Sequence, residues 1–309
     1  MLIHTFTQRT RPARTVLLGA RGFLGLELSS WLATGNVPVR AVSSKEIDLT
    51  GGEAAERLAA LFRTDDAVVM TACIPPEKGR DIAAFMKNIR MAESIAGAIL
   101  RKAPAHLLYV SSDAVYDARH SSLLNEDSSC EPTSLYALAH VAREKMLENA
   151  CGSHDVPFVV VRPCAIYGAR DTHNSYGPNR FIRNALETGK ISLFGDGEER
   201  RHHVYVADVV RIIELCLLHR SVGTINAVTG EAVSFHTVAS MVISAIERPT
   251  VLQRATRSNP IAHRHFDTTA LIKACPGFRA TALSDGIART VFEMTKGDEK
   301  HRETELAPH

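Results

Sequence analysis

The sequence predicts an α/β fold: a doubly wound parallel sheet that carries a smaller, discontinuous C-terminal lobe. Three observations predict it. Strand-like apolar runs alternate with amphipathic stretches of helical period through the first half of the chain. Some of those runs, "AVVMTA" and "FVVVRP" among them, are apolar throughout, as strands covered on both faces require. Finally, a glycine-rich turn, "VLLGARGFLG", stands between the first run and the first helical stretch.

In chain order the elements are the strand "TVLLGA", a helix over residues 22–34, "VRAVSS", a helix over 52–63, "AVVMTA", a helix over 80–102, "HLLYVSS", a helix over 134–150, and "FVVVRP". After Gly168 the alternation breaks. Residues 169–202 are rich in Asn, Gly, Arg and Glu, and residues 246–285 carry Pro and Arg without long periodic runs, while "HVYVADVVRIIELCLL" and "GTINAV" between them return to the strand and helix pattern. The chain therefore leaves the sheet, returns and leaves again. This gives a Rossmann-like domain over 14–168 and 203–245, a substrate lobe over 169–202 and 246–296, and a polar tail over 297–309 expected to be flexible. Such a lobe closes over the carboxyl ends of the strands, where open α/β sheets bind ligands.

Composition narrows the partner. The chain has 309 residues, 45% of them hydrophobic and 23% charged, with a formal net charge of +2 and its basic residues scattered. Nothing resembles the basic footprint of a nucleic-acid or membrane-surface binder, so a small molecule is the expected partner. The six cysteines form neither a CxxC pair nor a zinc-like spacing with histidine, and they read as reduced, mostly buried thiols, Cys164 included. The N-terminal "MLIHTFTQRTRPAR" lacks the apolar run of a signal peptide, and no segment approaches the ~20 apolar residues of a membrane span. A cytoplasmic location is the expectation. His263 and His265 stand together without a carboxylate or cysteine at ligand spacing, so no metal is expected.

Gly19, Gly22 and Gly25 permit a tight turn, close approach of backbone to a pyrophosphate, and close helix packing, while the helix that follows offers unpaired amide donors. A dinucleotide is the ligand this arrangement fits, with Arg21, Phe23 and Leu24 in the same loop. The acid that normally holds the adenosine ribose belongs at the end of the second strand, which here ends in Ser43 and Ser44. With no carboxylate to repel a 2′-phosphate and Arg21 able to pair with one, NADP(H) is favoured over NAD(H). Asp48 and Leu49, in "EIDLT", are placed near the adenine.

"YVSSDAVYD" closes the strand at 106–112, and Tyr136 with His140 opens the following helix as "YALAH". With "GARGFLG", "VRPCAIYG", "FGDGEERRHHVYVADVV" and "FDTTAL", these motifs run almost end to end, and the chain resembles the extended short-chain dehydrogenase/reductase family of nucleotide-sugar epimerases, dehydratases and reductases. The resemblance implies Ser112 as the hydroxyl on the reacting sugar oxygen and Tyr136 as the acid/base. It implies cofactor contacts around Thr71, Ala72, Asn88, Pro163 and Ile166. On the substrate side it implies Asn179 and Phe194, with Arg201 and Arg257 gripping the diphosphate. It also implies a homodimer paired through the helices at 80–102 and 134–150, although Ile82, Phe85, Met86, Ile89, Ile95 and Ile99 would serve an ordinary core equally well.

One position departs from the family pattern. Hydride exchange at a carbinol carbon requires a proton to leave or join its oxygen, and a phenol of pKa ~10 must be drawn towards neutrality to exchange it. In the family a lysine four residues after the tyrosine does this; here it is His140, on the right helical face but shorter, and charged only below ~6.5 unless perturbed. Three accounts of His140 stand: a substitute that contacts the ribose and charges with pH, a slow enzyme with its base elsewhere, and a binding relic without turnover. Asp113 followed by Ala114 lacks the adjacent acid pair of the dehydratases, which makes elimination the least favoured chemistry. Epimerisation or keto-sugar reduction at C4 remains, with a non-catalytic nucleotide-sugar or dinucleotide sensor as the alternative of another class.

Overall fold

The computed structural model describes residues 2–116, 123–257 and 260–305. The first half contains β1 (Arg14–Leu18), α1 (Phe23–Thr34), β2 (Val39–Val42), α2 (Ala54–Leu61), β3 (Asp66–Met70), α3 (Ile82–Arg101), β4 (His106–Val110), β5 (Leu123–Leu124), α4 (Leu135–Gly152) and β6 (Phe158–Pro163). Then follow β7 (Ala165–Tyr167), α5 (Pro178–Thr188), β8 (Lys190–Phe194), β9 (Arg200–Arg201), β10 (His203–Tyr205), α6 (Val206–Leu218) and β11 (Gly223–Ala227). The chain closes with β12 (Val233–Ser234), α7 (Phe235–Ala245), β13 (Val251–Ala255), β14 (His265–Phe266), α8 (Thr269–Ala274) and α9 (Leu283–Glu305).

Six strands form one parallel sheet in the order β11-β6-β4-β3-β1-β2. Their side chains alternate between two cores, because successive residues of a strand point to opposite faces. Leu17, Val69, Leu108 and Val161 join the core under α1 and α6, whereas Val16, Val68, Met70, Leu107 and Val160 join the one under α2 and α3. Both sets are apolar, which is why the strands read as continuous hydrophobic runs. The strand order reverses at β1, with β2 on one side and β3 on the other, and that reversal opens a crevice at the carboxyl ends of the strands.

The lobe is made of short pairs: β13 runs parallel to β8, β12 antiparallel to β9, and β10 parallel to β7. Two sequence expectations differ from the structure here. The helix at 235–245, assigned to the sheet domain, packs as α7 against α5 and α9, because its apolar face (Val238, Ala239, Val242) is covered by lobe elements. The polar segment from 297, expected to be a flexible tail, continues α9 as far as Glu305; it is built largely from Glu, Lys and Arg, which favour helix, and its last four positions lie outside the described residues. Along α3, Ile95 and Ile99 are core, whereas Ile82 and Met86 face outward, 71% and 41% exposed. Among the described residues no helix is long and apolar enough to cross a membrane.

Candidate active site

A cavity of about 780 Å³ lies along the carboxyl ends of β1, β3, β4 and β6, within the range of ligand sites. One end is the glycine loop. Gly19 has φ +95°, a left-handed conformation that side chains avoid, and a Cβ there would stand 2.6 Å from the Ala72 backbone nitrogen and 2.7 Å from Thr71 Oγ1. At Gly25 a Cβ would run into the Gly19 carbonyl. Gly22 caps α1 with no side chain on its amides and no acid in the first turn, so the helix N-terminus keeps its donors for an anion. These features form a cradle that fits a pyrophosphate, in keeping with a dinucleotide cofactor.

The other wall comes from β4 and α4. Ser111 and Ser112 follow β4, and Ser112 Oγ caps the short 3₁₀ turn Asp113–Val115 by accepting from the Ala114 N–H at 3.1 Å. Ser134 caps α4 in the same way, accepting from the Ala137 N–H at 3.3 Å, and so fixes where Tyr136 and His140 emerge. Their rings lie edge to face, 4.7 Å between centres. Burial pushes the Tyr136 phenol well above its ordinary value, with Cys73 and Tyr109 adding to the rise; a hydrogen bond with Ser112 and the charge of Arg143 act against it. His140 is 2% exposed, and burial, reinforced by Arg143, drives its pKa well below 6.5. It is a neutral imidazole. Its Nδ1 lies 2.6 Å from the Tyr109 hydroxyl, while its Nε2 is buried without a partner.

Behind these residues lies a buried polar layer. Ser111 donates to Glu144 Oε1 at 2.5 Å, and Glu144 holds Arg162 through two bonds of 3.0 and 2.6 Å. Arg162 also reaches the Tyr116 hydroxyl, which donates to Asn226 Oδ1 on β11. Arg143 is fully buried, donating to the Ala72 carbonyl and, at 3.4 Å, to Asn88 Oδ1, with its guanidinium 5.0 Å from the centre of the Tyr109 ring.

Most of the residues singled out in the sequence meet at this cavity: Gly19, Arg21, Gly22, Phe23, Leu24, Gly25, Ser43, Asp48, Leu49, Thr71, Ala72, Ser112, Asp113, Tyr136, His140, Pro163, Ile166 and Asn179 all line it. Others do not. Asn88 faces away, its amide accepting from and donating to the Ile74 backbone, so it pins the loop after β3. Asn179 spends its side chain on the Gly168 N–H and on Asp171. Phe194 packs on Tyr176, ring centres 4.9 Å apart. Arg201 pairs with Glu199 and donates to the Ala262 carbonyl, while Arg257 pairs with Glu198 at 2.7 Å and Glu199 at 3.6 Å. Asp113 is held by Arg264 at 3.0 Å. The charging of His140 with pH also disappears, since nothing around the ring stabilises an imidazolium.

Sequence reasoning passed over Tyr109, Arg143 and Arg264. The signal for Arg143 was its position three residues after His140 on the stripe that carries Tyr136. Arg264 gave no signal, because its partner Asp113 is 151 residues away.

Comparison with known proteins agrees with this geometry. The chain is 27% identical over 259 residues to the UDP-glucose 4-epimerase of Mycolicibacterium smegmatis, covering 80% of this chain and 79% of that one. It is 24% identical over 138 residues to the low-salt glycan biosynthesis protein Agl12 of Haloferax volcanii, spanning only 44% of that relative's length and 45% of its own. Among solved structures, the Thermus thermophilus UDP-glucose 4-epimerase in complex with NAD superposes with a TM-score of 0.79 at 22% identity, over 92% of this chain and 99% of that one. The GDP-L-fucose synthetase of Naegleria fowleri bound to NADP gives a TM-score of 0.83 at 15% identity, over 97% and 99%. Those two likenesses establish a shared fold. A family model described as NAD dependent epimerase/dehydratase matches residues 15–228, a span that holds the glycine loop, Ser112, Tyr136 and Arg201, and the chain therefore belongs to the NAD dependent epimerase/dehydratase family.

Proposed function

We propose that the protein acts by hydride transfer at C4 of a nucleotide-diphosphate sugar, in an epimerase-like cycle, with Tyr136 as the acid/base and Ser112 orienting the reacting oxygen. One observation carries the reading. Ser112 and Tyr136 share a cavity with the glycine loop, while the carboxylate of Asp113 is tied to Arg264 and Ala114 offers no second acid. That arrangement supports oxidation and reduction without elimination. A nicotinamide ring, when bound, supplies the hydride acceptor and donor. Tyr136 as phenolate takes the C4 hydroxyl proton as the C–H bond yields its hydride, and it returns the proton when the hydride comes back to the other face. Ser112 holds the oxygen in line with the phenol. His140, neutral, would offer its unpartnered Nε2 to a ribose hydroxyl of the bound cofactor. Arg201 and Arg257 are proposed for the diphosphate, on which they must exchange Glu199 and Glu198. UDP-glucose is the first substrate to try, because the relatives that cover most of this chain carry UDP-glucose epimerase names.

A keto-sugar reductase is the second reading, and it rests on the adenosine end. The two residues directly after β2 are Ser43 and Ser44, which line the cavity with Arg21 in place of a carboxylate and so favour a 2′-phosphate as in NADPH. The experiment that tests both identifies the nucleotide released on denaturation, then titrates the emptied protein with NADH and NADPH and assays UDP-glucose. Retained NAD with appearance of the C4 epimer supports the epimerase cycle; an empty site preferring NADPH supports the reductase. Binding without turnover in either direction leaves a sensor. Tyr136→Phe should abolish turnover with cofactor still bound, and surviving turnover would remove Tyr136 from its role.

A further inference from the structure

Arg143 is the most anomalous charge in the molecule. Its side chain is 0% exposed, and among the described residues it meets no carboxylate. Its partners are the Ala72 carbonyl, Asn88 Oδ1, the Met70 thioether at 3.6 Å and the face of the Tyr109 ring, and its Nε has no partner. Burying a cation against neutral groups carries a desolvation penalty that a hydrophobic residue of similar size does not. Arg162, nearly as buried, has Glu144 to match it.

The position of that charge gives it a use. Tyr136, His140 and Arg143 lie on one stripe of α4, and a long helical side chain leans back towards the N-terminus, which brings the guanidinium towards the level of His140. Ala72, Cys73 and His140 form the cavity wall in front of it. Tyr109 links the groups, stacked under Arg143 and bonded at its hydroxyl to His140 Nδ1, while His140 in turn packs edge-on against Tyr136. Around Tyr136 stand Cys73 after β3, Tyr109 and Ser112 on and after β4, and His140 and Arg143 on α4, with the exposed Glu77 and Lys78 lining the same cavity. Of the buried groups among these only Arg143 is cationic, since His140 is neutral.

We propose that Arg143 is the positioning cation of this active site, supplying from behind His140 the positive charge that favours the phenolate of Tyr136. The proposal rests on Tyr136 being the acid/base. The cation has moved one turn along the helix and out of contact with the cavity, and the imidazole at position 140 is left to hydrogen-bond without carrying charge. Its field favours the deprotonated or neutral form of Cys73, Tyr109, Tyr136 and His140 alike.

The test uses the full chain with difluorotyrosine at position 136, whose phenol ionises low enough to be titrated by fluorine NMR in the folded protein, and in parallel the pH–rate profile with UDP-glucose. Arg143→Met should raise the phenol's midpoint by about one pH unit or more, and should cost roughly tenfold in rate at neutral pH that returns as pH rises. Thermal stability should hold or increase, because a buried charge has been replaced by a hydrophobe. Adding His140→Lys to Arg143→Met should bring the midpoint back down. An unmoved midpoint in Arg143→Met, or a loss of thermal stability with no recovery in the double variant, would mean a packing residue and overturn the proposal. The titration needs no substrate, so a midpoint that follows Arg143 in a protein without turnover upholds the charge assignment and removes the epimerase reading instead.

Discussion

The two ends of the cavity are built on different principles. At the glycine loop the grip is backbone: a left-handed Gly19, an uncapped helix N-terminus, and no side chain to displace before an anion arrives. On the lobe, beside the cavity and not lining it, the proposed grip is side chain, and its three arginines are already matched, Arg201 by Glu199, Arg257 by Glu198 and Arg264 by Asp113. Partly exposed pairs of this kind are worth about 1 kcal/mol or less, so a diphosphate can take them over. One end is preorganised, whereas the proposed diphosphate site is held in reserve and would release its carboxylates when a ligand binds.

Acid should separate the two ends most strongly. His106, His202 and His203 are held neutral by burial, with pKa values of about 4, about 4 and about 3, and His140 is depressed as well. Folded values below the free ~6.5 mean that stability is fully present above ~6.5 and is lost as pH falls towards 4, by up to about 1.4 kcal/mol per pH unit for each histidine. His202 and His203 directly follow Arg201, whereas the glycine loop holds no histidine. Hydrogen exchange at pH 5 should therefore show β9 and β10 opening before β1. A Tm flat between pH 7 and 5 would contradict the buried neutral state.

Gly19→Ala should come next. The added Cβ meets Ala72 backbone in a strained conformation, at about 2–4 kcal/mol, and should weaken cofactor binding roughly a hundredfold while affinity for UDP-glucose stays within a few-fold. Equal losses of both ligands, measured calorimetrically, would erase the distinction between the ends. Arg201→Ala should do the converse, raising KM for the nucleotide sugar roughly tenfold with cofactor affinity unchanged. The smallest effect is a gain: Glu199→Gln frees Arg201 and should tighten UDP binding about two- to fivefold, more at low salt. Weaker binding would show that Glu199 orders the arginine and does not compete for it.

The sheet and the glycine loop were legible because they depend on local patterns: apolar runs, a helical period, and glycines where a Cβ has no room. Every loop residue assigned to the cofactor does line the cavity, whereas Asn88 does not, since its amide had equally good backbone partners in Ile74. The lobe was illegible for the same reason in reverse. Its strands are two to five residues long, Arg257 finds Glu198 59 residues away, and Arg264 reaches Asp113 across 151. The replacement at position 140 could be seen in the sequence. That a neutral imidazole there stands in front of a buried arginine could not, because burial is a property of the packed helix.

The returning strand also sets an order of events during synthesis. β6 is made apolar on both faces, and its free edge pairs with β11, which begins only at Gly223, after α5, β8, β9, β10 and α6 have been produced. At about 5–20 residues per second, that edge waits for several seconds beside a chain still leaving the ribosome. The run "FVVV" then offers an uncharged free edge to any neighbouring strand, with Arg162 and Pro163 at its end as gatekeepers. Yield of the protein in cells should therefore depend less on the stability of the finished fold than on how quickly residues 164–227 follow.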